Sequence, residues 1–438
     1  MTRFLGKYFE VFLYLPLLYI LGNIFAPLSY VLFALAIIGL ALRKKHHQII
    51  IFLLIIFIIG DSRQLTVFFF KEMRTIVLLI LTMITFGDLL SGKYKFRRLF
   101  LLLVPFYVLS LMAAARNFEP GLSISKATSY FLLIFVAMHY FNHHVITSGW
   151  VLLKDVVYLS SLVLIVGLFL IVFNFELAYF YTSGRYRGVF GNPNGIGVYG
   201  TLIFIIYYLY LHLLKGESSI INRYILFWGP LLLSIVLSFS RNALASSFIF
   251  VMMTYIHQGS SAKRVVLYAV VIPAIVFLVM NIEDIIRQLA AQEIGRGLRF
   301  ETVLDGSGRF LAWGFAWEEF VKNPWIGRGF AFEEILFQKH MPKWLYITGH
   351  QGGVHNSFLA FLMNTGVIGT VMILAFFYQW IKRIAESRLI MPIIFATAFS
   401  AFFEPWLNSS LNAFTVHFIL MILFYTHYPK YRPVPVVA

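Results

Sequence analysis

Long apolar segments alternate with short polar stretches along almost the whole chain. Most of these segments are about 15–25 residues long, the length that a helix needs to cross about 30 Å of hydrocarbon. The segments that fit are 9–25, 27–42, 48–60, 74–90, 99–114, 125–141, 150–173, 194–214, 224–238, 242–257, 265–281, 356–380, 390–404 and 409–427. Several are short enough to be re-entrant, so the alternative to 14 crossings is 12. The pattern predicts an all-α polytopic membrane protein with 12–14 transmembrane helices in a single membrane domain, residues 1–438.

The composition agrees with this class of protein. Of the 438 residues, 60% are hydrophobic and only 12% are charged, and the mean hydropathy is +0.82. A soluble globular domain does not need so apolar a composition. The chain contains no cysteine, so disulfides and thiolate metal sites are excluded.

The charges are distributed unevenly between the two sides that the predicted helices define. One side, which includes both termini, carries 19 Lys and Arg against 5 acidic residues, and the other carries 16 against 14. Because positive charge favours the cytoplasmic side, this distribution predicts cytoplasmic termini and an extracytoplasmic loop at 282–354. The net charge of +16 is therefore a topology signal and does not indicate a nucleic-acid partner.

The loop 282–354 is the only extramembrane segment long enough to fold. Within it, 308–324 has the periodicity of an amphipathic helix that lies at the membrane interface. The apolar face of this predicted helix consists of Phe310, Trp313, Trp317, Phe320 and Val321.

His355 stands where this loop ends and an apolar run begins that continues without interruption to about Tyr378. Asn356 and Ser357 are both good N-cap residues, so a helix is predicted to start here. Its first turn would carry unpaired N–H groups that favour a bound anion and a neutral imidazole. The alternative is a hydrogen-bonded histidine at the membrane interface without a catalytic role. His350 is a weaker candidate for the same pocket.

Three arginines on the same predicted side could bind an anion. Arg241 lies between two apolar runs, where it is either a phosphate clamp or a snorkelling side chain that caps a helical hairpin. Arg185 and Arg187 lie in a glycine-rich stretch that ends in Asn-Pro-Asn, with Asn194 as a candidate cap of the next helix. Taken alone, this stretch could equally be an ordinary exposed loop.

Four motifs follow one another on this predicted outer side. His355 and Asn356 are followed, after nine residues, by Gly366 and an aliphatic residue, and Arg241 closes a Ser-x-Ser-Arg element. The other two motifs are 187–194 (Arg-Gly-Val-Phe-Gly-Asn-Pro-Asn) and 308–329, which contains Arg309, Trp313 and Asn-Pro-Trp-Ile-Gly-Arg-Gly. Together they resemble the O-antigen ligase superfamily of bacterial membrane glycosyltransferases over residues 180–380.

The resemblance implies an enzyme of the bacterial cytoplasmic membrane whose active site is extracytoplasmic. Its donor would be a glycan on undecaprenyl pyrophosphate, and its acceptor a hydroxyl of another glycan or lipid at the surface of the bilayer. Arg187 and Arg241 would bind the pyrophosphate, which then leaves without a metal or another cofactor. His355 would remove the proton of the acceptor hydroxyl, and one direct displacement would invert the anomeric carbon. The supporting residues would be Asn356, Asn194, Arg185, Arg309, Arg328 and His350.

Two other activities remain open at this stage. A polymerase of the same superfamily, which builds O-antigen, capsule or exopolysaccharide from repeat units, shares the motifs with a ligase. A transporter or flippase is less favoured, because such proteins place ionisable residues near the bilayer midplane and this chain keeps them at helix ends, apart from Arg241 and from Asp61 and Glu404 near the predicted outer surface. An inactive scaffold would not require the His355 motif.

Overall fold

A computed structural model of the chain describes residues 1–62, 64–180, 184–214, 220–258, 309–348 and 353–428. The described residues are mainly helical, which confirms the all-α fold class. The helices in chain order are α1 (Thr2–Lys7), α2 (Phe9–Ile24), α3 (Ala26–Leu42), α4 (His46–Ile59), α5 (Phe70–Leu90), α6 (Leu103–Ala114), α7 (Pro120–Val136), α8 (Asn142–Phe173), α9 (Phe175–Ala178), α10 (Pro193–Leu213), α11 (Ile220–Leu237), α12 (Arg241–Gln258), α13 (Arg309–Val321), α14 (Phe332–Thr348), α15 (Ser357–Ile381), α16 (Ser387–Phe403) and α17 (Ala413–His427).

Every predicted apolar span that falls within the described residues coincides with a helix. The span 265–281 lies outside them. Within the described residues, and by length and composition alone, four helical stretches could cross a membrane, namely Leu65–Leu90, Pro120–Phe173, Pro193–Leu213 and Ser357–Ile381. Seven further apolar helical segments in this part of the chain have 10–17 residues. The polytopic class is therefore confirmed, whereas the count of 12–14 crossings stays a prediction.

The core is formed by helices that are apolar on every side. All residues of α17 from Ala413 to Tyr425 are buried, as are Ile49–Ile58 of α4. A helix with no polar face can be covered in this way only at the centre of a bundle or by lipid. The outer helices keep large apolar residues exposed, such as Leu13 on α2 and Leu35 on α3, at 58% and 60%. Such a surface is suited to contact with lipid.

A short β-hairpin interrupts the helices before α10. Its strands are β1 (Tyr179–Phe180) and β2 (Arg185–Tyr186), which pair antiparallel with Tyr179 opposite Tyr186. The hairpin gives Arg185 a fixed backbone position at the end of the bundle that also holds the start of α10.

The amphipathic helix predicted at 308–324 is present as α13, but its apolar residues cover two faces. Ala312, Ala316 and Phe320 are buried, whereas Phe310 and Trp317 are each 54% exposed. The single apolar face was therefore wrong in part, because the small alanines form the side that packs in the protein. The exposed aromatic residues fit the predicted position at a membrane interface, which stays a prediction.

Candidate active site

His355 lies in the turn that leads into α15. Its backbone has φ of +46°, a left-handed conformation that is uncommon for a residue with a side chain. Asn356 is the N-cap, as predicted, and its Oδ1 accepts hydrogen bonds from the N–H groups of Phe358 (2.9 Å) and Leu359 (3.0 Å). Two of the N–H groups proposed to attract an anion are therefore occupied by the cap. The helix start alone is a weaker anion site than the sequence indicated.

The partner of His355 is Glu404, which follows the last residue of α16. The Nδ1 atom of His355 lies 3.3 Å from Oε2 of Glu404, while the other carboxylate oxygen accepts bonds from Arg309 (2.7 Å) and Asn194 (2.8 Å). Glu404 is only 7% exposed. One buried carboxylate thus joins three side chains that come from distant parts of the sequence.

Backbone contacts hold the His355 turn and the end of α16 together. The hydroxyl of Ser357 donates to the carbonyl oxygen of Glu404 (2.7 Å) and accepts from the N–H of Leu407 (3.1 Å). On the other side, the indole N–H of Trp313 donates to the carbonyl oxygen of Val354 (2.8 Å). Because α13, α15 and α16 are all linked here, the position of His355 is determined on both sides.

The charges around Glu404 keep it ionised. Burial opposes ionisation, but the hydrogen bond from His355, together with the charges of Arg309 and Arg185, holds the pKa of Glu404 below its ordinary value. An ionised Glu404 favours the imidazole tautomer with its proton on Nδ1. In that tautomer, Nε2 of His355 is the atom that can accept a proton, as a general base must.

Arg185 connects this cluster to the turn that precedes Arg241. Its guanidinium donates to the carbonyl oxygens of Ser238 (2.8 Å) and Phe239 (3.0 Å) and, at 3.4 Å, to Oδ1 of Asn194. Phe239 has φ of +46°, so the Ser-x-Ser-Arg element is a tight, strained turn. Arg241 is the first residue of α12 directly after this turn.

Asn194 has a different role from the predicted one. The N-cap of α10 is Asn192, whose Oδ1 accepts from the N–H of Gly195 (2.8 Å), and Pro193 occupies the first helical position. Proline suits that position because its φ is already helical and its missing N–H is not needed there. Asn194 therefore lies within the first turn, and its amide joins Glu404 to Arg185.

Two predicted arginines contact other parts of the molecule. Arg187 donates to the carbonyl oxygens of Leu177 (3.1 Å) and Glu176 (3.3 Å) at the end of α9. Arg328 lies 4.0 Å from the carboxylate of Glu319 and stacks over the ring of Phe332. Their roles in substrate binding stay predictions. His350, also predicted as a supporting residue, lies outside the described residues.

The glycine of the histidine motif has a structural role. Gly366 breaks α15 with φ of +63° and ψ of −173°, so the apolar run from His355 is not one continuous helix, contrary to the prediction. Its neighbour Val367 donates its N–H to Pro324 (2.7 Å), and Gly329 donates to Asn364 (2.7 Å). A Cβ atom on Gly366 would lie 2.3 Å from the backbone of Trp325. The loop 323–329 therefore interlocks with the break in α15.

Glu404 is a candidate site residue that none of the four sequence motifs contains. It lies beyond the 180–380 region, and a single carboxylate says nothing about its partner. Its signal was an acidic residue at the end of the apolar span 390–404, where an unpaired charge would be costly.

The fold and the cluster define a multi-pass membrane protein with a histidine–carboxylate pair among arginines at one end of its helices. Residues 226–374, about a third of the chain, match the family model described as O-antigen ligase. The match confirms the resemblance to the O-antigen ligase superfamily, and it includes Arg241, Arg309 and His355. It supports a membrane glycosyltransferase of the ligase or polymerase type. No curated protein matches the chain.

Proposed function

We propose that this protein transfers a glycan from undecaprenyl pyrophosphate to a hydroxyl of a glycan or lipid acceptor, on the outer face of the cytoplasmic membrane. The observation that carries the proposal is the pairing of His355 with Glu404, which prepares Nε2 of the imidazole as a base. The match of residues 226–374 to the O-antigen ligase family model supports the class of reaction. The topology that places the site outside rests on the charge distribution of the sequence.

In the proposed reaction, Nε2 of His355 takes the proton of the acceptor hydroxyl while its oxygen attacks the anomeric carbon. The bond from that carbon to the pyrophosphate oxygen breaks in the same step, so the configuration inverts. Arg187 and Arg241 bind the pyrophosphate and stabilise the charge that it gains. Their planar guanidinium groups match phosphate oxygens in pairs, so the mechanism does not depend on a metal ion.

Arg185 and Arg309 have positioning roles in this proposal. Arg309 shares the carboxylate of Glu404 with His355, and Arg185 holds the turn before Arg241. Asn194 links the two halves, because its amide contacts both Glu404 and Arg185. The base His355 and the anion-binding Arg241 are thereby kept at a fixed separation. Transfer between two bound substrates requires such fixed positions.

The direct test measures transfer and donor binding separately in membranes that contain the His355→Gln variant. Glutamine keeps much of the size and hydrogen bonding of histidine but cannot act as a base. We expect transfer to fall about 10²–10⁴-fold while binding of the lipid-linked donor stays within about twofold. Near-normal transfer would show that His355 is only structural, and loss of donor binding would make it a pyrophosphate ligand.

A repeat-unit polymerase is the alternative within the superfamily, and deletion of the gene separates the two activities. Loss of a ligase leaves long chains on the lipid carrier, whereas loss of a polymerase leaves single repeats. Transport is less favoured, because the charged residues of the site, such as Arg241, Arg309 and Glu404, lie at helix ends.

A further inference from the structure

A polar cavity lies at one end of α4, opposite the end that is near the candidate active site. α4 begins at His46, and the residue Asp61 just beyond its other end accepts a hydrogen bond from the N–H of Gly191, in the loop before α10. Fourteen residues of helix separate the two ends by roughly 21 Å. The cavity has a volume of about 330 Å³ and is lined by Lys7, Lys44, Lys45, His46, His47, Gln48 and His144.

The lining of this cavity carries more positive than negative charge. Lys7 pairs with Asp155 (2.5 Å), and Lys45 pairs with Glu10 (2.5 Å), which also pairs with Arg43 (3.0 Å). The Asp155 side chain is only 8% exposed, and it does not line the cavity itself. Lys44 has no acidic partner within 4.0 Å among the described residues. Three lysines therefore line the cavity and only Lys7 and Lys45 are paired with carboxylates, an excess of positive charge that favours an anionic ligand.

The cavity also contains hydrogen-bond donors in fixed positions. The Nδ1 atom of His46 is bonded to the hydroxyl of Tyr140 (3.0 Å), and Nε2 of His47 to the hydroxyl of Ser148 (2.6 Å). The ring of His46 is thus fixed by one of its nitrogens, whereas Nδ1 of His47 also lies 3.8 Å from Oδ2 of Asp155. The N-cap of α4 is Lys45, which makes no side-chain capping bond, so no side chain caps the N–H groups of His46 and His47, whereas the N–H of Gln48 donates to the carbonyl oxygen of Lys45 (3.0 Å).

Lys44 is held in a conformation that lysine rarely adopts. Its φ is +55°, and the turn is closed by hydrogen bonds from the N–H of Lys44 to Ala41 (2.9 Å) and from that of Lys45 to Leu40 (2.9 Å). This position at the end of a helix normally takes glycine or asparagine. A lysine there brings a cation to the cavity at the expense of backbone strain, which local folding alone does not favour.

We propose that this cavity is a binding site for a phosphate group, separate from the candidate active site. Three lysines, the imidazole of His46 and the first N–H groups of α4 form a donor set that phosphate oxygens use in proteins. The phosphate can come from the headgroup of an anionic lipid or from a soluble phosphate. A stripe of exposed apolar residues starts at Phe9, two residues after Lys7, and continues through Leu13 (58% exposed) and Ile20 (55%). This stripe can accommodate the acyl chains of a lipid.

The test uses the purified full-length chain in neutral detergent, with binding measured by calorimetry. The probes are inorganic phosphate, dihexanoyl phosphatidylglycerol and dihexanoylglycerol, which has the same acyl chains without the phosphate. We expect one or both phosphate-bearing probes to bind and dihexanoylglycerol not to bind. Binding of phosphatidylglycerol alone identifies a lipid headgroup site, and binding of inorganic phosphate identifies a site open to soluble ligands.

The variant Lys44→Gly removes the charge and also relieves the left-handed strain, so it should fold at least as well as the parent. We expect its affinity for the phosphate-bearing probe to fall at least about tenfold, since Lys44 has no competing carboxylate. The control is Lys382→Gly, which removes an exposed lysine outside the cavity, at the far end of α15 from His355. Unchanged affinity in Lys44→Gly, an equal loss in Lys382→Gly, or no binding of either phosphate probe would overturn the proposal.

Discussion

The imidazole of His355 and the carboxylate of Glu404 are joined at 3.3 Å, although 49 residues separate them in the sequence. The same carboxylate holds Arg309 through its other oxygen. Glu404 therefore orients the proposed base and also pairs with the guanidinium of Arg309. This double role makes Glu404 the residue whose replacement tests the site most directly.

Replacement of Glu404 by glutamine should reduce transfer through its effect on His355. The amide can still accept a hydrogen bond but cannot stabilise an imidazolium. We therefore expect the loss in transfer to be no larger than the loss of about 10²–10⁴-fold expected for His355→Gln. The losses in transfer caused by Glu404→Gln and by His355→Gln should not be additive, because the two residues act together as one base. The measurement is transfer by Glu404→Gln, His355→Gln and the double variant in membranes.

Multiplication of the two losses in the double variant would show that Glu404 and His355 act independently. A matched control is Glu318→Gln, because Glu318 is an exposed carboxylate on α13. This control should retain parental transfer.

Arg241 and Arg187 should each be essential for transfer while the protein still inserts and accumulates. We expect Arg241→Ala and Arg187→Ala to lose about 10²–10³-fold in transfer, the usual loss when one donor to developing negative charge is removed. Arg241→Lys should also be poor, because a point charge cannot make paired contacts with phosphate. Arg388→Ala, at an exposed position at the start of α16, is the control. Transfer should persist in EDTA, and inhibition by EDTA that added metal reverses would contradict the mechanism.

Gly366 should tolerate no side chain. Its φ and ψ fall in a region that is essentially restricted to glycine, which costs about 1–3 kcal/mol for other residues, and its Cβ would overlap the backbone of Trp325. We expect Gly366→Ala to lower the free energy of unfolding by at least this amount in thermal denaturation. Gly314→Ala is the control, because nothing lies within 4 Å of its Cβ and helical alanine should add about 1 kcal/mol. Equal stability of the two variants would argue against the interlocked loop.

Glu333 should make the protein less stable as the pH rises. Burial and the Glu334 carboxylate, opposed by Lys126, raise the pKa of Glu333 from 4.5 to about 7. One of its carboxylate oxygens accepts from Asn408 (2.7 Å), and the other has no hydrogen-bond partner among the described residues. Because the folded pKa is raised, the cost of ionisation is absent below pH 4.5 and grows until the pH passes about 7.

We therefore expect Glu333→Gln to raise the free energy of unfolding by about 1–3 kcal/mol at pH 8 and by little at pH 4. Thermal unfolding at several pH values measures this difference. The same gain at both pH values would mean that packing, and not ionisation, is responsible.

The predicted topology is tested by fusing a reporter that is active only outside the cytoplasmic membrane. A fusion after residue 320, within α13, should give signal, whereas a fusion after residue 388, at the start of α16, should not. The expectation follows from the excess of Lys and Arg on the side that carries both termini. The reverse pattern would move the His355 cluster to the cytoplasmic side and exclude the proposed reaction there.

The sequence by itself determined the helices and the resemblance to a family. Apolar length and the cap at Asn356 predicted helix positions, because a backbone in lipid must satisfy its hydrogen bonds within the segment. The charge distribution gave the predicted orientation in the same way, since it depends only on residue type and order. The four motifs together, among them the spacing from His355 to Gly366, were sufficient to show the resemblance to the superfamily, although they did not show that Gly366 acts by breaking a helix.

Only the tertiary structure decided which polar groups meet. Glu404 reaches His355 because Ser357 joins the ends of two helices, and Asn194 joins the same carboxylate because Asn192 had already capped α10. Pairings of this kind are long-range, and each polar group in an apolar bundle has several candidate partners in sequence. The physical reason is that burial makes an unpaired charge costly, but it does not specify the partner. That choice depends on how the helix ends pack together.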